Sequence, residues 1–225
     1  MRRGEPRRHR RDAGAACKPR GVVGSVDSTE RRRADEAGLV NVVFRQADLF
    51  ALPFDAGSFD HVFVCFVLEH LARPAEALAI LERLLVPGGT LTVIEGDHGL
   101  TAFHPDSAAA HRAIQCQVVL QQRAGGNPLI GRQLHPLLVQ AGFEAVHVSP
   151  RMVYVDGSRP DLADGFTRKT FTAMIEGVRD AALSAGLITA EAFDVGVRDL
   201  HRAAEVDGVF CYTLFKGVAG KKRIA

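Results

Sequence analysis

Three segments decide the fold of this chain: VVFRQADLFALPF at residues 42–54, AGSFDHVFVCFVLEHL at residues 56–71 and LLVPGGTLTVIEGD at residues 84–97. Each contains an apolar strand candidate that ends in polar residues or a turn. Between the second and third strands, residues 75–85 place apolar side chains at helical spacing and predict an amphipathic helix. This alternation is typical of a parallel α/β sheet that holds a small ligand over its strand ends.

The flanking sequence extends this sheet in both directions. Upstream, GVVGSV at residues 21–26 predicts a short strand, and Ser28 can cap a helix that ends at Gly38. Downstream, the pattern predicts helices at 105–123, 134–141, 161–185 and 190–204, and strands at 144–155 and 209–215. We expect the last two strands to pair antiparallel at one edge of the sheet. The two long helices between them, with residues 100–124, are then the natural cover of a ligand site.

The bulk composition fits one domain with an inserted lid. The chain has 225 residues, of which 47% are hydrophobic and 24% are charged. We expect a disordered basic tail at residues 1–20, a domain at residues 21–217 with lid elements at about 100–130 and 158–205, and a tail at residues 218–225. No apolar run is long enough to cross a bilayer, so we expect no membrane partner and a cytoplasmic protein.

The net charge is +2, but the positive charge is concentrated in an arginine-rich N-terminal segment. The arginines near the N-terminus are Arg2, Arg3, Arg7, Arg8, Arg10, Arg11, Arg20, Arg31, Arg32 and Arg33. A solvated tail is the favoured interpretation; a nucleic-acid or membrane-surface arm and a targeting peptide are the alternatives. The rest of the chain is acidic on balance, which argues against a folded nucleic-acid-binding face. We therefore expect a small molecule, and no nucleic acid, as the partner.

Several motifs resemble the nucleotide-binding core of class I S-adenosylmethionine-dependent methyltransferases. They are Asp27 in GSVDS, Asp48 in QADL, and the PGG turn at residues 87–89. SFDH at residues 58–61 and VLEHL at residues 67–71 also belong to them; these two segments lie at the start and just past the end of the strand candidate within residues 56–71. The resemblance implies a Rossmann-like α/β fold with a mostly parallel sheet, helices on both faces, an antiparallel C-terminal edge strand and a helical lid insertion. It also implies S-adenosyl-L-methionine as cofactor and methyl transfer to a small-molecule acceptor.

The same resemblance assigns cofactor-binding residues. Asp27, with Ser28 beside it, lies where the family's acidic residue accepts the ribose hydroxyls. Asp48 resembles the residue that accepts a hydrogen bond from the adenine amino group, and Leu49 would add a main-chain contact. Cys65 and Phe66 would line the methionine end of the cofactor. For Asp27 and Asp48 the competing interpretation is a helix cap exposed to solvent.

Residues 95–106 form the densest polar cluster of the sequence, at the carboxyl end of a predicted strand. A metal site would use Asp97, His98, His104 and Asp106, but their spacing is irregular, and we predict no metal. A hydroxyl acceptor needs a base, and His98 or His104 could be that catalytic residue. The alternative is ordinary loop polarity. Other residues that could line an acceptor pocket are Arg132, His135, Arg151, Met152, Tyr154, Phe171, Met174 and Tyr212.

The sequence departs from the family upstream of Asp27, where a first strand and a Gly-x-Gly-x-Gly loop are expected. Either GVVGSV fills the central position of the sheet, or the first strand and the glycine loop are absent. The alternative function is therefore a catalytically inactive or truncated relative that acts as a binding module or has no function. A nicotinamide-dependent oxidoreductase shares the architecture but needs a Gly-x-Gly-x-x-Gly turn that is also missing.

Overall fold

The computed structural model describes residues 20–23 and 28–223, which divide into two compact units with the boundary between Pro53 and Phe54. The N-terminal unit contains β1 (Arg20–Val23), α1 (Ser28–Glu36), β2 (Val42–Arg45) and a 3₁₀ turn (Leu49–Ala51). β1 and β2 pair in parallel, as strands joined by a crossover helix do. Gly38 ends the helical segment at a φ of 64°, as its position in the sequence predicts.

The C-terminal unit is built on a four-stranded sheet with the order β3-β4-β6-β5. Its strands are β3 (Phe59–Cys65), β4 (Leu85–His104), β5 (Glu144–Asp156) and β6 (Val209–Gly220). Its helices are α2 (Pro74–Leu84), α3 (Ala108–Arg123), α4 (Leu134–Gln140), α5 (Pro160–Leu162), α6 (Ala173–Glu176), α7 (Arg179–Ser184) and α8 (Ala190–Arg202). A π-helical segment, Ala163–Thr172, joins α5 to α6.

The sheet confirms the predicted α/β class and the antiparallel C-terminal pair. β3 and β4 are parallel, whereas β6 pairs antiparallel with both β4 and β5. The expected predominance of parallel strands therefore does not extend to this sheet, in which two of the three pairings are antiparallel. The helices between β5 and β6 are inserted as the pattern predicts, and they pack with α3 around a core that includes Phe193, Phe210 and Leu200.

Two sequence-based boundaries were wrong, and both concern long-range pairing. β4 was expected to end near residue 95 but continues to His104, because residues 101–104 pair with Val209–Tyr212 of β6. The register shifts between Gly96 and Thr101, so the residues between them bulge out of the ladder. β6 continues beyond residue 215 to Gly220 because it pairs with the first half of β4.

Candidate active site

The carboxyl end of β3 lies beside the middle of β4, just before the β4 bulge, since Cys65 is opposite Ile94 in the parallel register. The main-chain N–H of Phe66 donates to the Ile94 oxygen at 2.9 Å, and a single 3₁₀ turn, Leu68–His70, follows. Residues that follow β3 therefore lie close to residues at the bulge of β4, and the carboxyl end of a parallel strand is where α/β folds hold their ligands. We call the buried polar residues gathered here the strand-end cluster: Glu69, Glu95, Asp97, His98 and Tyr212.

Glu95 holds the turn that follows β3. Its side chain is fully buried, and its Oε1 accepts the main-chain N–H groups of Val67 at 3.0 Å and Leu68 at 2.9 Å. Burial raises the pKa of Glu95 to about 7, although the hydrogen bonds from these N–H groups oppose the shift. Glu95 therefore fixes the geometry of the strand end and is itself close to half-protonated near neutral pH.

Glu69 brings a second buried carboxyl group to the cluster. Its side chain is 7% exposed, and its Oε2 has no hydrogen-bond partner among the described residues. Its Oε1 lies 3.4 Å from Nε2 of His70. Burial raises the pKa of Glu69, while the neighbouring His70 and the Gln121 amide lower it. The cluster thus contains a carboxylate oxygen that the protein places in its interior and leaves unpaired.

His98 and Tyr212 form a buried hydrogen bond of 2.7 Å between Nδ1 and the phenol oxygen. Burial lowers the pKa of His98 to about 4, so the imidazole is neutral at physiological pH. Burial also raises the pKa of Tyr212, and the nearby carboxylates of Glu69 and Asp97 add to the effect. Both groups are therefore neutral hydrogen-bonding groups here. A Cβ on Gly96 would overlap the Tyr212 hydroxyl, so only glycine leaves room for this pair.

The helical insertion places the aromatic ring of Phe171 against the strand-end cluster. Phe171, in the π-helical segment, packs edge-on against His98 with ring centroids 6.0 Å apart, and its centroid lies 5.5 Å from that of Tyr212. Phe171 is itself buried. π-Helical segments are frequent at functional sites. The predicted lid thus contacts the strand-end cluster directly through Phe171.

Asp97 is paired with Arg132. The carboxylate is fully buried and accepts Nε of Arg132 at 2.5 Å and Nη2 at 2.7 Å, in a bidentate arrangement. It also accepts the main-chain N–H of Gly99 at 3.0 Å. The Asp97 contact raises the pKa of Arg132, which stays charged. Because both oxygens of Asp97 are occupied, this pair anchors the bulge of β4.

The two histidines predicted as catalytic lie in different surroundings. His98 belongs to the strand-end cluster. His104 is exposed, pairs with Val209 at the far end of β4, and is six residues beyond His98, which corresponds to roughly 15–20 Å along a strand. The structure therefore does not bring His98 and His104 together.

Two predicted cofactor residues border the cluster. Cys65 is the half-buried last residue of β3, and burial, then Glu95 and Glu69, raise its thiol pKa. Phe66 follows with a φ of 52° and a side chain that is 42% exposed. This conformation is uncommon for a bulky residue and turns the chain sharply at the strand end. The structure thus brings Cys65 and Phe66 next to Glu69 and Glu95.

The other predicted cofactor residues belong to the N-terminal unit. Asp27 lies outside the described residues, and Ser28 is the first residue of α1. Asp48 is exposed, and its Oδ1 accepts the main-chain N–H of Phe50 at 2.9 Å, so it caps the 3₁₀ turn. Leu49, the first residue of that turn, is half-buried. The capping role that competed with cofactor binding at Asp48 is therefore present in the structure.

Sequence reasoning missed Glu69 and Glu95 as site residues and named Tyr212 only among general pocket candidates. The signal for Glu95 was its position where β4 was expected to end, and the signal for Glu69 was its position four residues after the last residue of β3. Their burial depends on α3 and on the turn after β3, which the local pattern does not show.

Part of this chain is similar to known methyltransferase domains. Residues 21–93 match the family model described as a methyltransferase domain. An uncharacterized 37.1 kDa protein of transposon TN4556 from Streptomyces fradiae is 36% identical over 180 residues, which cover 75% of this chain and 50% of that protein. The demethylmenaquinone methyltransferase of Thermus thermophilus is 46% identical over 65 residues, or 29% of each protein. An uncharacterized methyltransferase of Schizosaccharomyces pombe is 32% identical, over 57% of this chain and 44% of its own length.

Solved structures agree on the fold. A Bacillus halodurans protein described as a candidate methyltransferase aligns with a TM-score of 0.52 and 17% identity, over 90% of this chain and 84% of that one. The YcgJ protein of Bacillus subtilis aligns with a TM-score of 0.53 and 14% identity, over 92% and 84%. The fold and the family match therefore define a methyltransferase domain. Over residues 21–93 the chain is similar to class I S-adenosylmethionine-dependent methyltransferases, and it spans half or less of the curated relatives named above.

Within residues 20–23 and 28–223, no three His, Cys, Asp or Glu side chains are arranged to hold a metal ion. In the same part of the chain, no helix combines the length and the apolar character needed to span a membrane.

Proposed function

We propose that this protein transfers a methyl group from S-adenosyl-L-methionine to a small-molecule acceptor in the cytoplasm. The observation that carries the proposal is the strand-end cluster of a methyltransferase domain, in which Glu69 and Glu95 are buried beside neutral hydrogen-bonding groups. A buried carboxylate oxygen without a protein partner is a feature that a bound ligand accounts for.

The residues present fit the cofactor at its cationic end. Glu69 and Glu95 are buried carboxyl groups next to Cys65, and in their ionised form they would suit the cationic sulfonium. Asp48 and Leu49 would hold the adenine, with Asp27 and Ser28 on the ribose. When bound, this cofactor supplies a methyl group already activated by its sulfonium.

The protein's own contribution is then alignment and the exclusion of water. Phe171 covers His98 and Tyr212 and keeps solvent from this side of the cluster. His98 and Tyr212, both neutral, can donate or accept a hydrogen bond and so orient a polar acceptor. His98 remains a candidate contact with the acceptor, but its lowered pKa makes it a weak base.

Titration calorimetry with S-adenosyl-L-methionine tests the proposal. We expect saturable binding, and we expect Asp48→Asn to weaken it about tenfold or more, since a hydrogen bond to a charged group contributes about 1.5–3 kcal/mol. Asp35→Asn, on the exposed surface of α1, is the matched control and should bind like the wild type.

A methyl-transfer assay separates the alternatives. Labelled S-adenosyl-L-methionine would be incubated with a phenol, a primary amine and demethylmenaquinol, the last chosen because the Thermus thermophilus relative is named for demethylmenaquinone. Transfer to any of them supports the enzyme. Binding without transfer supports the inactive binding module, and no binding supports a relative without this function.

A further inference from the structure

Glu69 presents an acceptor oxygen that has no hydrogen-bond partner among the described residues, and the Gln121 amide beside the carboxyl group lowers its pKa. Its Oε2 is buried and unpartnered, although native proteins pair nearly all buried polar groups. Leaving such an atom unpaired destabilises the folded state, and more so if the atom is charged. Because this oxygen lies at the strand ends of a methyltransferase domain, a ligand that donates a hydrogen bond is the natural partner.

The main chain of Glu69 is held rigidly from two sides. Its carbonyl oxygen accepts the main-chain N–H of Asn127 at 2.7 Å and Nε2 of Gln121 at 3.1 Å. Its own N–H donates to Oε2 of Glu95 at 3.4 Å. A catalytic group needs such support, because a displacement of about 1 Å is enough to reduce the rate of an aligned reaction.

The other candidate bases of the cluster are already committed. Asp97 has both carboxylate oxygens in hydrogen bonds, and Oε1 of Glu95 accepts two main-chain N–H groups. His98 has its Nδ1 in the bond to Tyr212, whose phenol is neutral. Glu69 is the member of the cluster with a free, buried acceptor atom.

We propose that Glu69 is the general base of this site and selects acceptors whose nucleophilic oxygen or nitrogen carries a proton. As the O–H or N–H bond of the acceptor breaks, the proton moves to Oε2 of Glu69. The electron pair forms the new bond to the methyl carbon, and the electrons of the broken carbon–sulfur bond stay on sulfur. This inference rests on the proposed methyl transfer, and it adds the class of acceptor and the residue that accepts its proton.

The titratable groups that face Glu69 suit its role as a base. His70 lies on the same turn, Glu95 comes from β4, Cys65 from β3 and Tyr212 from β6. Burial raises the pKa of the Glu69 carboxyl, which makes it a stronger base than an exposed carboxylate, while His70 limits the rise. His70, with 63% of its side chain exposed, is a positioning residue that connects the buried carboxyl to solvent.

The test compares Glu69→Gln with the wild type on two kinds of acceptor. With a phenol or a primary amine, we expect kcat/KM to fall by about 10²–10⁴, the usual contribution of a general base. With a thioether, whose sulfur carries no proton, we expect no loss specific to the substitution. Calorimetry should give an unchanged affinity for S-adenosyl-L-methionine. Glu76→Gln, which removes an exposed carboxylate on α2, is the matched control and should retain full activity.

Two further variants distinguish a base from a structural residue. Glu69→Ala should recover activity when formate is added, because formate can occupy the vacated carboxylate position. His70→Gln should move the acidic limb of the kcat/KM profile to higher pH, since the neighbouring His70 lowers the pKa of Glu69 and its removal lets that pKa rise.

The outcomes separate this inference from the function on which it rests. Full activity of Glu69→Gln on the phenol would overturn the base while leaving methyl transfer intact. The general-base proposal would also be overturned if Glu69→Gln lost cofactor affinity together with activity, because Glu69 would then have a structural role. An unchanged pH profile of His70→Gln would overturn it in the same way. A wild type that methylates no acceptor overturns the proposed function, and the base falls with it.

Discussion

The hydroxyl of Tyr212 lies 2.7 Å from Nδ1 of His98, although the two residues are 114 positions apart in the chain. Both side chains are buried, and burial keeps the imidazole of His98 neutral and the phenol of Tyr212 protonated. The bond is therefore formed between two neutral groups. It joins β4 to β6 at the bulge, next to the carboxylates of Glu69 and Glu95.

Tyr212→Phe should destabilise the fold by about 1–3 kcal/mol, because it leaves the buried Nδ1 of His98 without a partner. The free energy of unfolding from urea titration at pH 7 measures the loss. Tyr154→Phe, which removes a partly exposed hydroxyl from β5, is the matched control, and water should replace its contacts. Equal effects of the two substitutions would show that the His98 bond contributes nothing specific.

Gly96→Ala should also destabilise the protein, since the added Cβ would overlap the Tyr212 hydroxyl. Overpacking of this kind costs about 1–3 kcal/mol, and here it would also separate Tyr212 from His98. Thermal unfolding should show a lowered midpoint. Gly165→Ala is the control, because a Cβ there has no atom within 4 Å, and its midpoint should be unchanged or slightly raised. A stable Gly96→Ala protein would mean that Tyr212 can move without cost.

The elements that local signals define could be predicted from the sequence. Ser107 was expected near the start of α3, and its Oγ accepts the main-chain N–H of Ala110 at 3.2 Å. The apolar strand candidate at the start of residues 42–54 is confirmed as β2, Val42–Arg45. A cap or a run of apolar residues determines such boundaries within a few positions, so a local pattern is sufficient.

The candidate site depended on pairings that no local pattern specifies. The length of β4 follows from its register with β6, and the bond between His98 and Tyr212 follows from the same register. The burial of Glu69 depends on Gln121 of α3 and on the turn after β3. The sequence placed polar residues at the correct strand ends, but it could not show which of them are buried, paired or left without a partner.

The buried carboxyl of Glu95 should make stability depend on pH. Its pKa is raised from 4.5 to about 7, so the folded state holds its proton more tightly than the unfolded state. The stability that Glu95 contributes is therefore complete below pH 4.5 and is lost as the pH rises through 7. The loss can reach about 3 kcal/mol.

Urea titrations at several values between pH 5 and pH 8 test this dependence by comparing Glu95→Gln with the wild type. Gln does not titrate, so the wild type should lose stability relative to the variant as the pH rises. The comparison is needed because His98, whose pKa is lowered to about 4, has the opposite effect and loses its contribution as the pH falls from 6.5. Parallel curves for the two proteins would show that Glu95 titrates normally.

Arg132→Met should be the most destabilising of these substitutions, because it leaves the fully buried carboxylate of Asp97 without its cation. Removing one partner of a fully buried ion pair costs about 3 kcal/mol or more, and the 45% exposure of the Arg132 side chain reduces the cost here. Arg179→Met breaks a bond of similar geometry, the bidentate pair with Asp194, which is exposed to solvent. Its effect on the free energy of unfolding should be small, since water replaces the lost contact.

Adding Asp97→Asn to Arg132→Met should restore part of the lost stability, because the buried charge is then removed together with its partner. Circular dichroism in urea gives the free energies of unfolding for all four proteins of this double-mutant cycle. A large coupling energy between Asp97 and Arg132 is the expected result. A coupling energy near zero would contradict the importance of the Asp97–Arg132 pair. An Arg179→Met protein as unstable as the Arg132→Met protein would show that bidentate geometry, and not the burial of Asp97, sets the cost.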